Sequence, residues 1–140
     1  MMVPYTIRTI IEQSGGRGPR GAFAYVGGTA LTYSCPQSER EERPGYASCI
    51  VNGTVDFGVG LIFAVNGKRG EQWHMIVAYE PSDCYTVWLV RRATPTEWTA
   101  GQRGAILDHA RDVYCDQLQS VIEAMYDAAI AKHCQGFIPA

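Results

Sequence analysis

The chain has 140 residues, 46% hydrophobic and 19% charged, with a formal net charge of −2 at neutral pH. A chain of this length can bury roughly two-thirds of its unfolded surface in one core. The composition excludes a disordered polymer, and the slightly acidic balance argues against a dedicated nucleic-acid binder.

No apolar run approaches the roughly 18 residues that a membrane span needs. Met1-Met2-Val3-Pro4 lacks the charged and apolar regions of a secretion signal. The expectation is therefore one cytoplasmic domain over residues 1–140, with strands within 3–91, a helical region over 95–135 and no membrane contact. The five cysteines, Cys35, Cys49, Cys84, Cys115 and Cys134, form no C-x-x-C pair. They read as reduced thiols, mostly small buried side chains.

In chain order, Val3, Tyr5, Ile7, Thr9 and Ile11 alternate with other residues, which predicts a first strand. A glycine-rich stretch, 14–21, follows. Ala22–Val26 and Thr29–Ser34 flank Gly27-Gly28 as a hairpin. The polar segment Cys35–Gly45 reads as a loop. Tyr46–Val51 and Thr54–Val65 read as strands joined by Asn52-Gly53. In the second of these, Val55, Phe57, Val59, Leu61, Phe63 and Val65 face one way. Gln72–Tyr79 and Cys84–Arg91 are the next two strands, joined through Pro81-Ser82-Asp83.

Thr94-Pro95-Thr96-Glu97 has the form of a capping box with proline at the first helical position. A short helical turn from Pro95 and a bend near Gly101 are expected. A long helix then runs from about Gln102 to Cys134. Its apolar stripe is Leu107, Ala110, Tyr114, Leu118, Val121, Met125 and Ala129, at spacings of three and four. Lys132 and His133 suit its last turn. Such a rod would be roughly 45–50 Å long, against a radius of gyration of about 14 Å for the domain. The rod would overhang unless it bends, a partner covers the excess or the helix is broken, and this mismatch is the strongest hint of a partner.

The predicted fold class is α+β, an antiparallel β-meander of about six or seven strands packed against a long C-terminal helix. This order of elements is loosely similar to the helix-grip family of lipid-binding domains, whose curved meander wraps a C-terminal helix. The helices that family places after its first strand are missing here.

Gly16-Arg17-Gly18-Pro19-Arg20-Gly21 matches G-x-G-x-x-G, but a dinucleotide fold would follow it with a helix, and Ala22–Val26 reads as a strand. Arg17 and Arg20 remain candidates to hold a phosphate or an acidic surface. Cys35 or Cys49 with His74 are weak candidates for cysteine catalysis, with a vague resemblance to cell-wall-type cysteine peptidases. Neither cysteine clearly opens a helix, as that resemblance requires. His109, Asp112 and Asp116, at i, i+3 and i+7 on the expected helix, are weak metal candidates. No cofactor is called for.

Aromatic residues and arginine dominate protein interfaces. Tyr5, Tyr25, Trp73, Tyr79, Tyr85, Trp88, Arg91, Arg92 and Trp98 are therefore candidate anchors.

The leading expectation is a non-enzymatic protein-binding module: an accessory, adaptor, immunity or inhibitor-type protein of the kind phages or mobile elements encode, forming homodimers. One alternative is an apolar-ligand domain with a sheet–helix cavity lined by Phe57, Leu61, Phe63 and Leu118. Another is a cysteine hydrolase. Nucleic-acid binding through Arg17, Arg20, Lys68 and Arg69 is unlikely by charge and would show a steep salt dependence.

Overall fold

The computed structural model describes residues 5–16, 18–34, 59–80, 82–102 and 104–134. The chain opens with helices α1 (Tyr5–Gln13) and α2 (Ala22–Tyr25), followed by strand β1 (Thr29–Ser34). Then come β2 (Val59–Val65), β3 (Gln72–Tyr79), β4 (Tyr85–Arg92), helix α3 (Pro95–Thr99), β5 (Ala105–Val113) and helix α4 (Leu118–His133). The described strands form one antiparallel meander in the order β1-β2-β3-β4-β5. The α+β class holds, with five strands among the described residues against the about six or seven expected. The expected loop 35–45, strand 46–51 and first part of strand 54–65 fall outside the described residues.

The first expected strand is a helix. Alternation from Val3 would put Ile7 and Ile10 on opposite faces, yet both are fully buried in one core. Ile7, Ile10, Ile11 and Ser14 follow the i, i+3, i+4, i+7 spacing of a helix face, which overrides the shorter alternation. Ala22–Tyr25 is likewise a helical turn, so Gly27-Gly28 joins a helix to a strand. The helices ahead of β1 also depart from the helix-grip order.

The centre of the meander follows its sequence pattern. Leu61, Phe63 and Val65 of β2 share a core with Trp73, Met75 and Val77 of β3 and Tyr85, Val87 and Leu89 of β4. Ile7 and Ile10 of α1 and Leu118, Ile122, Met125 and Ala129 of α4 cover this face. Full burial of a large apolar side chain contributes roughly 1.5–3 kcal/mol. The opposite face is buried as well, through Ile62, Ile76, Ala78 and Val90 beside His74 and Thr86. Burial on both faces explains why β3 reads as a nearly continuous apolar run.

The expected long helix divides into β5 and α4. Opposite β4, Tyr85 pairs with Val113 and Val87 with Ala110, so two residues of β4 span three of β5. A second irregularity falls between Leu89–Asp108 and Val90–Ile106. These bulges turn a period of two into spacings of two and three, which imitate a helical stripe. Asp112, at φ 54, marks one of them. Gly104 leads into β5 where an added Cβ would collide with the carbonyl oxygen of Arg91.

Helix α4 therefore has 16 residues, about 24 Å of rod, and its buried side chains rest on the protein's own sheet. The overhang that implied a partner does not exist. Lys132 and His133 do occupy its last turn, and α3 has the full capping box of Thr94 and Glu97 with proline at its start. Among the described residues, no helix is long and apolar enough to cross a membrane.

Candidate functional site

The described residues enclose a polar cleft of about 280 Å³, lined by Thr6, Thr9, Gln13, Tyr79, Asp83, Tyr85 and Cys115. Three parts of the chain build it. Helix α1 contributes Thr6, Thr9 and Gln13, whose i, i+3, i+7 spacing forms a polar stripe beside its buried isoleucines. The β3–β4 hairpin contributes the other wall, and Cys115 closes the cleft from the turn before α4.

Tyr79 and Tyr85 are the last paired residues of the β3–β4 ladder, with ring centroids 5.8 Å apart at 59°. Past them the chain turns tightly: the Asp83 amide donates to the Glu80 carbonyl (2.9 Å), and the Glu80 amide donates to the Cys84 carbonyl (2.9 Å). Asp83 sits at φ 66, a left-handed conformation that aspartate and asparagine tolerate better than most residues. This turn brings its carboxylate to Tyr79, whose hydroxyl donates to Asp83 Oδ1 at 2.6 Å. The Tyr85 hydroxyl donates across the cleft to Gln13 Oε1, tying hairpin to helix.

Both phenols are held protonated. Burial pushes the Tyr85 hydroxyl up to about 12, with smaller contributions from Cys115, Tyr79 and Asp83. Tyr79 is raised mainly by its hydrogen bond to Asp83. At neutral pH they are donors and not bases. Among the described residues, no histidine and no basic side chain lines the cleft beside Cys115, and nucleophilic chemistry at a thiol needs such a base. What the arrangement offers is a carboxylate, electron-rich rings and short polar side chains on a rigid frame.

The candidates from sequence are scattered. Trp73 is 1% exposed and belongs to the core. Its Nε1 donates to Glu71 Oε1 at 2.9 Å, and its ring meets His133 edge-on at 5.9 Å. It is a core residue and not an exposed anchor. Arg91 pairs with Glu97 at 2.8 Å and braces the start of α3. Trp88 and Arg92 are half-buried on the far face of β4, Trp88 opposite His109. Trp98 is half exposed. Tyr25 is exposed on α2, where its hydroxyl donates to both carboxylate oxygens of Asp127 on α4.

Among the described residues, no group of three histidine, cysteine or acidic side chains can hold a metal. His109 and Asp112 lie on bulged β5 and Asp116 in the following turn, so the helix face that would have aligned them is absent. His74 is buried, and its Nδ1 has no hydrogen-bond partner among the described residues. Cys35, Cys49 and Phe57 lie outside the described residues. The cavity that Leu61 and Phe63 do line, with Ile11, Ser14, Gly16 and Phe23, is only about 10 Å³, enough for about one water molecule.

Arg17 is outside the described residues, and Arg20 is exposed, its carbonyl accepting from Gln119 Nε2 at 2.8 Å. The glycine-rich stretch uses its own amides: Gly16 donates to Ile11, Gly21 to Gly18 and Ala22 to Ser14. It follows a helix and not a strand, so the dinucleotide context is missing.

Sequence reasoning found Tyr79 and Tyr85 as aromatic candidates but missed Thr6, Thr9, Gln13, Asp83 and Cys115. The spacing of Thr6, Thr9 and Gln13 carried a signal, visible once Ile7, Ile10 and Ile11 are read as helical. Comparison with known proteins adds no relative: no family model, curated protein or solved structure matches the chain.

Proposed function

We propose that the protein is a non-enzymatic module that binds another protein, and that the cleft between α1 and the β3–β4 hairpin anchors the partner. The observation that carries this reading is the cleft itself. It is near the lower end of ligand-site volumes, and its rings are held in place by hydrogen bonds at both ends. Preorganised aromatic and polar groups of this kind lose little freedom when an anchor residue enters. The support does not come from α4, whose apolar side chains are used internally, so a homodimer remains an independent proposal.

A photo-crosslinking amino acid at Thr6, on the cleft, should capture a discrete partner in cells. The same probe at Ala124, exposed on α4, should not. Blocking Cys115 with a bulky maleimide should abolish the Thr6 product. Equal capture from both positions, or capture indifferent to the block, would overturn the assignment of the cleft.

A further inference from the structure

Resting on that reading of the cleft, we infer that its ligand carries an alkylammonium group, either the side chain of a partner's lysine or a free amine. Three features converge on this chemistry. Tyr79 and the more deeply buried Tyr85 both line the cleft with ring centroids 5.8 Å apart, and aromatic rings attract ammonium groups electrostatically. The Asp83 carboxylate lies on the same lining, and among the described residues no arginine or lysine shares it. An anion entering here would meet the Asp83 carboxylate and be repelled, whereas a cation would find its counter-ion in place. Arg8, the basic residue of α1, falls on the side of the helix away from Thr6, Thr9 and Gln13 by its angular position.

The remaining groups agree with a cationic head on a short stem. Tyr79 and Gln13 hold Asp83 and Tyr85 in position from either side. Each phenol donates its proton to Asp83 or Gln13, which leaves its oxygen lone pairs able to accept from an ammonium N–H. The volume of about 280 Å³ admits a butylammonium chain. The ligand is recognised by charge and by rings, without a covalent step.

The test is a two-dimensional NMR titration of the full chain, following amides of Thr6–Gln13 and Ser82–Tyr85. The probes are n-butylammonium, its neutral counterpart n-butanol, and the blocked peptides acetyl-Gly-Lys-Gly-amide and acetyl-Gly-Met-Gly-amide. Both cations should shift these amides saturably, and the neutral probes should not. Asp83→Asn should weaken cation binding by about tenfold or more, the loss expected when a charged hydrogen-bond partner becomes neutral. Asparagine keeps the left-handed turn, so the fold is preserved. Tyr79→Leu should weaken binding by removing a ring, while Tyr79→Phe, which keeps the ring but loses the hydroxyl that positions Asp83, should fall between wild type and Tyr79→Leu.

Tighter binding of the lysine peptide than of butylammonium assigns the source to a partner protein, and the reverse assigns it to a free amine. Equal shifts from n-butanol, or an Asp83→Asn variant that binds as well as wild type, would overturn the ammonium inference while leaving the cleft as a site. No cleft shift with any probe would remove the inference, and crosslinking from Thr6 then decides the broader reading separately.

Discussion

Replacing Leu118 by alanine, beside the same change at Leu107, separates the observed fold from the single long helix that the periodicity suggests. On that helix both leucines would lie on one stripe and cost about the same. In the structure Leu118 is 0% exposed on the inner side of α4, and Leu107 is half-buried on β5, at one edge of the described sheet. Leu→Ala removes three carbons, about 2.4 kcal/mol at roughly 0.8 kcal/mol each. A cavity that cannot collapse raises this to about 3–5 kcal/mol. Leu107, already partly hydrated, should lose about 1–1.5 kcal/mol. At about 3–4 °C per kcal/mol for this chain length, Tm should fall by about 9–20 °C for Leu118→Ala and about 3–6 °C for Leu107→Ala. Urea unfolding with an unchanged m-value would confirm that stability alone has changed. Equal losses, or a Leu118→Ala cost below about 1 kcal/mol, would refute the packing described.

Other consequences are as direct. Burial holds the His74 imidazole below its ordinary 6.5, assisted by nearby Arg92, so the unfolded chain binds the extra proton first as pH falls. Stability should decline below about pH 6.5, and His74→Leu, which removes the buried titrating imidazole, should flatten that acid slope in pH-dependent urea melts. Thr94→Ala removes the side chain that accepts from the Glu97 amide at 3.1 Å and should cost about 1 kcal/mol. A methyl group on Gly67 would collide with the Trp73 ring, so Gly67→Ala should destabilise by about 1–3 kcal/mol and disturb the tryptophan's near-ultraviolet dichroism.

The sequence by itself determined what depends on neighbours in the chain. Strict alternation gave β2 its faces, and turn residues bounded β3 and β4. The Thr94–Glu97 box started α3, and Lys132 and His133 marked the end of α4, because caps and pleats are local physics.

Only the tertiary structure decided the rest. Whether Ile10 joins Ile7 depends on a sheet assembled from residues far along the chain, so α1 was hidden beneath an apparent strand. The bulges of β5 arise from pairing with β4, and they convert strand spacing into an imitation of a helix. The cleft needed both outcomes at once. Thr6, Thr9 and Gln13 face Tyr79, Asp83 and Tyr85 only because α1 is a helix lying on that end of the sheet. Cys115 reaches them only because β5 ends in a turn before α4 begins. Local propensity cannot encode such a meeting, since none of these segments touches another until the core they share has formed.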